Sequence, residues 1–119
     1  MDFFDENQFP YQNGRLLNTH SNAVFPQLQD LKMVSAITVN KVLGKESSIE
    51  AAKKHFHPDI ESMEGAAVFY SCLMSHQPFA EIRAISNYVE ERDKSKWDIP
   101  LAVKNLNGYV AELIHFADC

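Results

Sequence analysis

Two short runs hold the residue types that chemistry requires. The first, Glu61-Ser62-Met63-Glu64, leads straight into the small, uncharged run Gly65-Ala66-Ala67, which sets Glu64 at a helix N-terminus beside a segment expected to be buried. The plainest account is a carboxylate placed against the helix dipole, worth ~0.3–1 kcal/mol, with Met63 as ordinary core filler. The alternative is a sugar clamp, in which one carboxylate accepts from two neighbouring hydroxyls while the thioether packs on the ring. Spacing alone favours the first. The second run, Ser86-Asn87, follows an expected strand, at the place where an α/β sheet presents polar groups to ligands. Asn after a strand is more often a turn residue. In its functional reading the amide donates or accepts at the edge of a heteroaromatic base, and Ser86 fixes its orientation.

Other chemically capable residues have simpler accounts. His55 and His57 are two apart and share no helix face, with no third ligand nearby, so no metal site is expected. His20, His76 and His115 are isolated, and Cys72 lies in an apolar helix without a pattern that would make it a nucleophile. Glu81 and Arg83 are two apart on an expected strand, hence on one face, and suit a structural ion pair. The run from Glu90 to Lys96 reads as a solvated loop anchored by Trp97.

The elements that must position these residues follow from periodicity. Residues Met1 to about Leu28 are polar and turn-rich, with Pro10, Asn13-Gly14, Asn18, Asn22 and Pro26 spaced among Phe3, Phe4, Phe9, Tyr11 and Phe25. This reads as loop that packs on something. A strand is expected over Lys32–Val39 and a surface helix over Ser47–Phe56, with Ile49, Ala52 and Phe56 on one side. Ser47 or Ser48 would cap that helix, and Pro58 stops it. Asp59–Met63 suits a brief strand, and Glu64–Met74, uncharged after its first residue, suits a buried helix. A further strand is expected over Phe79–Ser86. The last helix, opened by an Asp98 cap and Pro100 in its first turn, runs to about Phe116. Leu101, Leu106, Val110, Leu113, Ile114 and Ala117 would form its core stripe. Strand and helix alternate, so the expected class is α/β with a parallel-rich sheet, its ligand groups at the C-terminal strand ends.

Composition bounds the function. The 119 residues make one domain at most, with 45% hydrophobic and 23% charged residues, proportions suited to a packed core. A net charge of −5 argues against nucleic acid as a partner, since that binding runs on a Lys/Arg surface. A small molecule is the better default. Two cysteines fit a reducing compartment, read as the cytoplasm. The acidic start lacks the pattern of a secretory signal, and no apolar stretch approaches the ~20 residues of a membrane span. A soluble protein without a membrane partner is expected.

Glu61-Ser62-Met63-Glu64-Gly65-Ala66-Ala67, followed by Ile82-Arg83-Ala84-Ile85-Ser86-Asn87, resembles the two C-terminal motifs of the nucleoside phosphorylase and nucleosidase superfamily, in the same order. The stretch from Asn87 to Leu101, and Phe9-Pro10-Tyr11-Gln12-Asn13-Gly14, look like the futalosine hydrolase branch more than its adenosine-type relatives. The resemblance implies part of a three-layer α/β/α fold, with residues 1–119 as the C-terminal part of that domain and 1–30 as a loop-rich entry segment. It implies hydrolysis of the N-glycosidic bond of futalosine, with water as nucleophile, releasing hypoxanthine and dehypoxanthine futalosine on the bacterial menaquinone route. No cofactor and no metal are implied. Met63 and Glu64 would hold the ribose, while Ser86 and Asn87 would form the base site, with Asn87 where related nucleosidases carry Asp. Hypoxanthine presents adjacent N7 and O6 acceptors, which suit an amide donor, whereas adenine adds an N6 donor. As a catalytic residue, Asn87 would stabilise charge on the departing base as the sugar becomes oxocarbenium-like.

In the family the water-activating acid and the glycine-containing first strand turn lie in an N-terminal half without a counterpart in these residues. The chain alone is therefore expected to be inactive or nearly so, and to associate as a homo-oligomer or with a separate N-terminal half. Two other readings stay open: a phosphorylase or adenosine-type nucleosidase of the same superfamily, and a non-catalytic ligand-binding or assembly domain.

Overall fold

The β-branched run around Ile37 forms strand β1 (Ala36–Thr38), shorter than the eight residues its composition suggests. Its length is set by its partner, because among the described residues β1 pairs, in parallel, only with β2 (Ile60–Ser62), in the register Ala36–Ile60, Ile37–Glu61 and Thr38–Ser62. At the entry to the pair, the Ser35 carbonyl accepts from the Asp59 and Ile60 N–H groups. The Asp59 carboxylate in turn accepts the Ser35 N–H at 2.9 Å and its hydroxyl at 3.2 Å. The computed structural model that shows this arrangement describes residues 5–19, 26–91 and 93–117, and no side chain at Ala117. Phe3, Phe4, His20, Asn22, Phe25 and Cys119, and the Ala117 position of the expected stripe, lie outside the described residues or side chains.

Helix α1 (Glu46–Phe56) joins the two strands, with Ile49 buried beneath it. It starts one residue before the expected serines. Lys45 takes the cap position with extended backbone and no side-chain bond, so Ser47 and Ser48 lie within the first turn rather than capping it. Glu46 supplies the favourable first-turn carboxylate. The helix ends as expected: His57 adopts the left-handed conformation, its N–H reaches the Lys53 carbonyl, and Pro58 follows.

Helix α2 (Gly65–Met74) forms where expected, but it is not a buried helix. Gly65 is buried, whereas Ala66, Ala67, Val68, Tyr70 and Met74 are exposed. Its uncharged sequence suits a covered helix, yet on its outer side only Tyr70 meets another ring, that of Tyr11, among the described residues. Its inner side packs on β1, and Phe69 meets Phe79 edge to face at 4.9 Å.

The expected strand over Phe79–Ser86 does not form. The segment has the composition of a strand, but a strand also needs a ladder partner, and none is present among the described residues. Phe79 is buried, and its carbonyl accepts the Asn18 side-chain amide at 2.8 Å. That bond belongs to the N-terminal loop, which does pack: Tyr11 lies against Tyr70 and Phe9 stacks on His76. Asn13 and Gly14 both take positive φ in a turn closed by Gln12 and Arg15, which is why glycine suits the second position. A 3-10 helix over Pro26–Asp30 interrupts what was expected to be loop and buries Leu28.

A second 3-10 helix, Lys94–Lys96, precedes helix α3 (Ile99–Ala117). Asp98 caps α3 as expected, accepting the Leu101 N–H at 3.0 Å. The expected stripe holds in part: Leu113 is buried and Leu106 and Val110 are half-buried, but Leu101 and Ile114 are exposed and Ala102 is buried instead. No helix is long and apolar enough to cross a membrane among the described residues.

The result is a mixed α/β chain with a two-stranded parallel sheet, drawn out into a slab of 48 × 41 × 19 Å. Its accessible surface is 9420 Å². A folded monomer of this mass exposes about 6,600 Å². Large apolar side chains are exposed on α2, α3 and the loop ahead of β1, among them Met33, Val68, Met74, Ile114 and Phe116, and elsewhere Phe9, Phe56, Ile85 and Tyr88.

Candidate functional site

The C-terminal ends of β1 and β2 hand the chain to α2 through two hydroxyls. Ser62, the last residue of β2, accepts the Gly65 N–H at 3.2 Å, and Thr38, the last of β1, accepts the Ala66 N–H at 2.9 Å. These satisfy two of the free donors at a helix start. Glu64 occupies the cap position but makes no cap bond. Its carboxylate is exposed, and among the described residues it has no hydrogen-bond or ion-pair partner, so its acceptor capacity remains available beside the positive end of α2. Met63 lies next to it, 47% exposed, and is not the core filler of the simpler account.

Gly65 is required by the same handover. A Cβ there would sit 2.8 Å from Ser62 Oγ and 3.0 Å from Glu81 Oε1. Glu81 is held in place by Arg83, whose Nε donates to Oε1 at 2.6 Å, the ion pair expected from their spacing.

Ser86 and Asn87 form a second group. The Ser86 hydroxyl donates to Asn87 Oδ1, and Asn87 Nδ2 donates to the Tyr88 carbonyl at 3.0 Å. The amide is thus oriented from both ends, and its second N–H has no partner among the described residues. The Ser86 carbonyl accepts the Asp98 N–H at 2.8 Å, which ties this group to the start of α3. Asn87 lines a small depression of about 10 Å³, room for one water molecule, with Leu43, Tyr88, Asp93 and Trp97. No hydrogen bond or ion pair joins the Met63–Glu64 pair to the Ser86–Asn87 pair among the described residues.

Glu61 and Leu43 carry a link that spacing did not reveal. The Leu43 N–H donates to Glu61 Oε1 at 3.3 Å, connecting β2 to the loop after β1 and so to the depression beside Asn87. Burial pushes the Glu61 carboxyl above the usual glutamate range, opposed by this N–H. The available signal was the alternation of β2, which turns Glu61 away from the side of Ile60 and Ser62. Its partner lies 18 residues away, beyond the reach of any local pattern. Among the described residues no group of three or more His, Cys, Asp or Glu side chains is gathered to hold a metal ion.

The chain is similar to futalosine hydrolases. It is 32% identical over 78 residues to the futalosine hydrolase of Acidothermus cellulolyticus, covering 65% of this chain and 32% of that protein. It is 32% identical over 84 residues to that of Thermus thermophilus, covering 71% of this chain and 37% of the relative. The chain thus spans about a third of the length of the curated relatives it matches. No protein-family model matches it, and no solved structure does.

Proposed function

We propose that this chain supplies the ribose- and base-recognising part of a nucleosidase site that hydrolyses the N-glycosidic bond of futalosine, releasing hypoxanthine and dehypoxanthine futalosine in menaquinone biosynthesis. The observation that carries this is the similarity to two futalosine hydrolases over most of the chain. In this reading the fold is part of a three-layer α/β/α domain, and residues 1–119 form its C-terminal part.

Glu64 takes the ribose, supported by its exposed, unpartnered carboxylate at the start of α2 and by the thioether of Met63 beside it. Asn87 takes the purine edge through its remaining amide N–H, with Ser86 holding the amide in that orientation. A 6-oxopurine offers acceptors at N7 and O6, which an N–H donor matches. As the C–N bond breaks, electrons move onto the base, so a donor there binds the transition state more tightly than the substrate. Water attacks the sugar, and a carboxylate supplied from outside the C-terminal part activates it.

The surface excess supports a second element of the proposal, that the outer sides of α2 and α3 are covered in the working protein, by a second copy or by a separate N-terminal half. Surfaces of this extent are in the range buried by permanent assemblies.

The test is hypoxanthine release from futalosine, with Glu64→Ala as control, together with hypoxanthine binding to the chain alone. Binding without release is the expected result for the chain by itself. Release that disappears in Glu64→Ala would show a complete site. Preference for adenine, or release that depends on phosphate, would move the assignment to an adenosine-type nucleosidase or a phosphorylase.

A further inference from the structure

Residues 40–44 connect β1 to α1, and among the described residues their only hydrogen bond is the one from the Leu43 N–H to Glu61 Oε1, at 3.3 Å. Leu43 and Val42 form one wall of the depression that Asn87 and Trp97 also line. The wall therefore hangs on one carboxylate. The other oxygen of that carboxylate, Oε2, is shut off from solvent and has no partner among the described residues. A desolvated acceptor left unmatched is poor for stability, and an apolar side chain on this short strand would avoid that cost. The arrangement is better explained by what Glu61 holds than by what it adds to the core.

We propose that Glu61 is a positioning residue for the base side of the site: by accepting the Leu43 N–H it fixes the loop after β1 as the wall that the purine shares with Asn87. The proposal rests on the reading of Asn87 as the base contact. Glu61 touches no reacting atom; it holds the Val42–Leu43 side of a depression that is water-sized in this structure, about 10 Å³, and that has to open for a base to enter.

Trp97 is the single tryptophan of the chain and lines the same depression, so its fluorescence reports a purine bound there. Hypoxanthine would be titrated into the wild type, Glu61→Gln, Glu61→Ala and Glu61→Leu, with amide exchange of Leu43 followed in each. Gln keeps an acceptor oxygen, whereas Ala and Leu do not, and Leu fills the space if Ala leaves the fold too weak. The expected result is faster Leu43 exchange and a Kd raised about tenfold in Ala and Leu, with Gln within about twofold of wild type. Unchanged Leu43 exchange in Ala and Leu overturns the tether. Faster exchange with an unchanged Kd overturns its role in base binding, as does a Gln variant as impaired as Ala. Failure of the wild type to bind hypoxanthine overturns the functional reading itself and its base-side role for Glu61, while Leu43 exchange still decides whether the tether exists.

Discussion

The Thr38 hydroxyl accepts the N–H of Ala66, 28 residues further on, at 2.9 Å, so the end of β1 caps the first turn of α2. Caps normally come from the residue just ahead of the helix, and here that residue, Glu64, leaves its side chain uncommitted. Capping is thereby left to the Thr38 and Ser62 hydroxyls, which leaves the Glu64 carboxylate available for the sugar hydroxyls it is proposed to bind. Thr38→Val is expected to lower stability by about 1 kcal/mol, with Thr38→Ser close to wild type, measured by urea denaturation. A Glu64→Ala variant should leave that midpoint nearly unchanged, while the proposed ribose contact is lost.

Gly65→Ala places a methyl group 2.8 Å from Ser62 Oγ and 3.0 Å from Glu81 Oε1. The expected loss is about 1–3 kcal/mol in the same denaturation experiment, since the hydroxyl is committed to the Gly65 N–H and the carboxylate to Arg83. A stability equal to wild type would mean that the turn between β2 and α2 has room to move.

Asn87→Asp exchanges an N–H donor for an acceptor at the proposed purine edge. Hypoxanthine binding should weaken by about tenfold or more, and the preference between hypoxanthine and adenine should shift toward adenine. Equal loss of both bases would point to a role for Asn87 in holding the loop through Tyr88 rather than in reading the base.

Burial raises the Glu61 carboxyl, chiefly by desolvation and against the Leu43 N–H. The folded state therefore holds its proton to higher pH than the unfolded chain. The Glu61 contribution is most favourable below the ordinary glutamate range and is lost as pH rises through the raised value. Thermal unfolding of Glu61→Gln across pH 4–7 should accordingly show a gain over wild type that grows with pH. Asp59 has the opposite sign, lowered first by the Ser35 N–H, so stability lost as pH falls below the ordinary aspartate range should be reduced in Asp59→Asn.

Exposed apolar side chains on α2 and α3 predict association. Sedimentation of the purified chain should show a species larger than a monomer, and Met74→Glu together with Phe116→Glu should return it to one. A wild type that sediments as a monomer and does not bind a hydrophobic dye would argue against a covered face.

What was legible in the sequence was local. The stop at His57-Pro58, the Asp98 cap, the Asn13-Gly14 turn and the Glu81–Arg83 pair each depend on neighbours within a few residues, and each appears as expected. The serine cap of α1 failed within one residue, where Lys45 and Glu46 start the helix without side-chain help. What depends on distant partners was not legible. Phe79–Ser86 has strand composition without a ladder, α2 has a core composition without a cover, and the Glu61 link to Leu43 joins residues no periodicity relates. Ser86 and Asn87 lie between these cases: their mutual hydrogen bond is local, but the depression they border needs Leu43 and Trp97.

The 19 Å thickness of the chain corresponds to one layer of strands and one of helices. In so thin a body no polar group is far from bulk water, where two charges 4 Å apart interact by only about 1 kcal/mol. In the proposed site, Glu64 beside the sugar and Asn87 beside the departing base, however well oriented, would meet developing charge in a medium that screens most of what they offer. Covering the exposed sides of α2 and α3 would change the dielectric around these two groups before it changed their positions, so assembly would act on the rate through the electric field at the glycosidic bond.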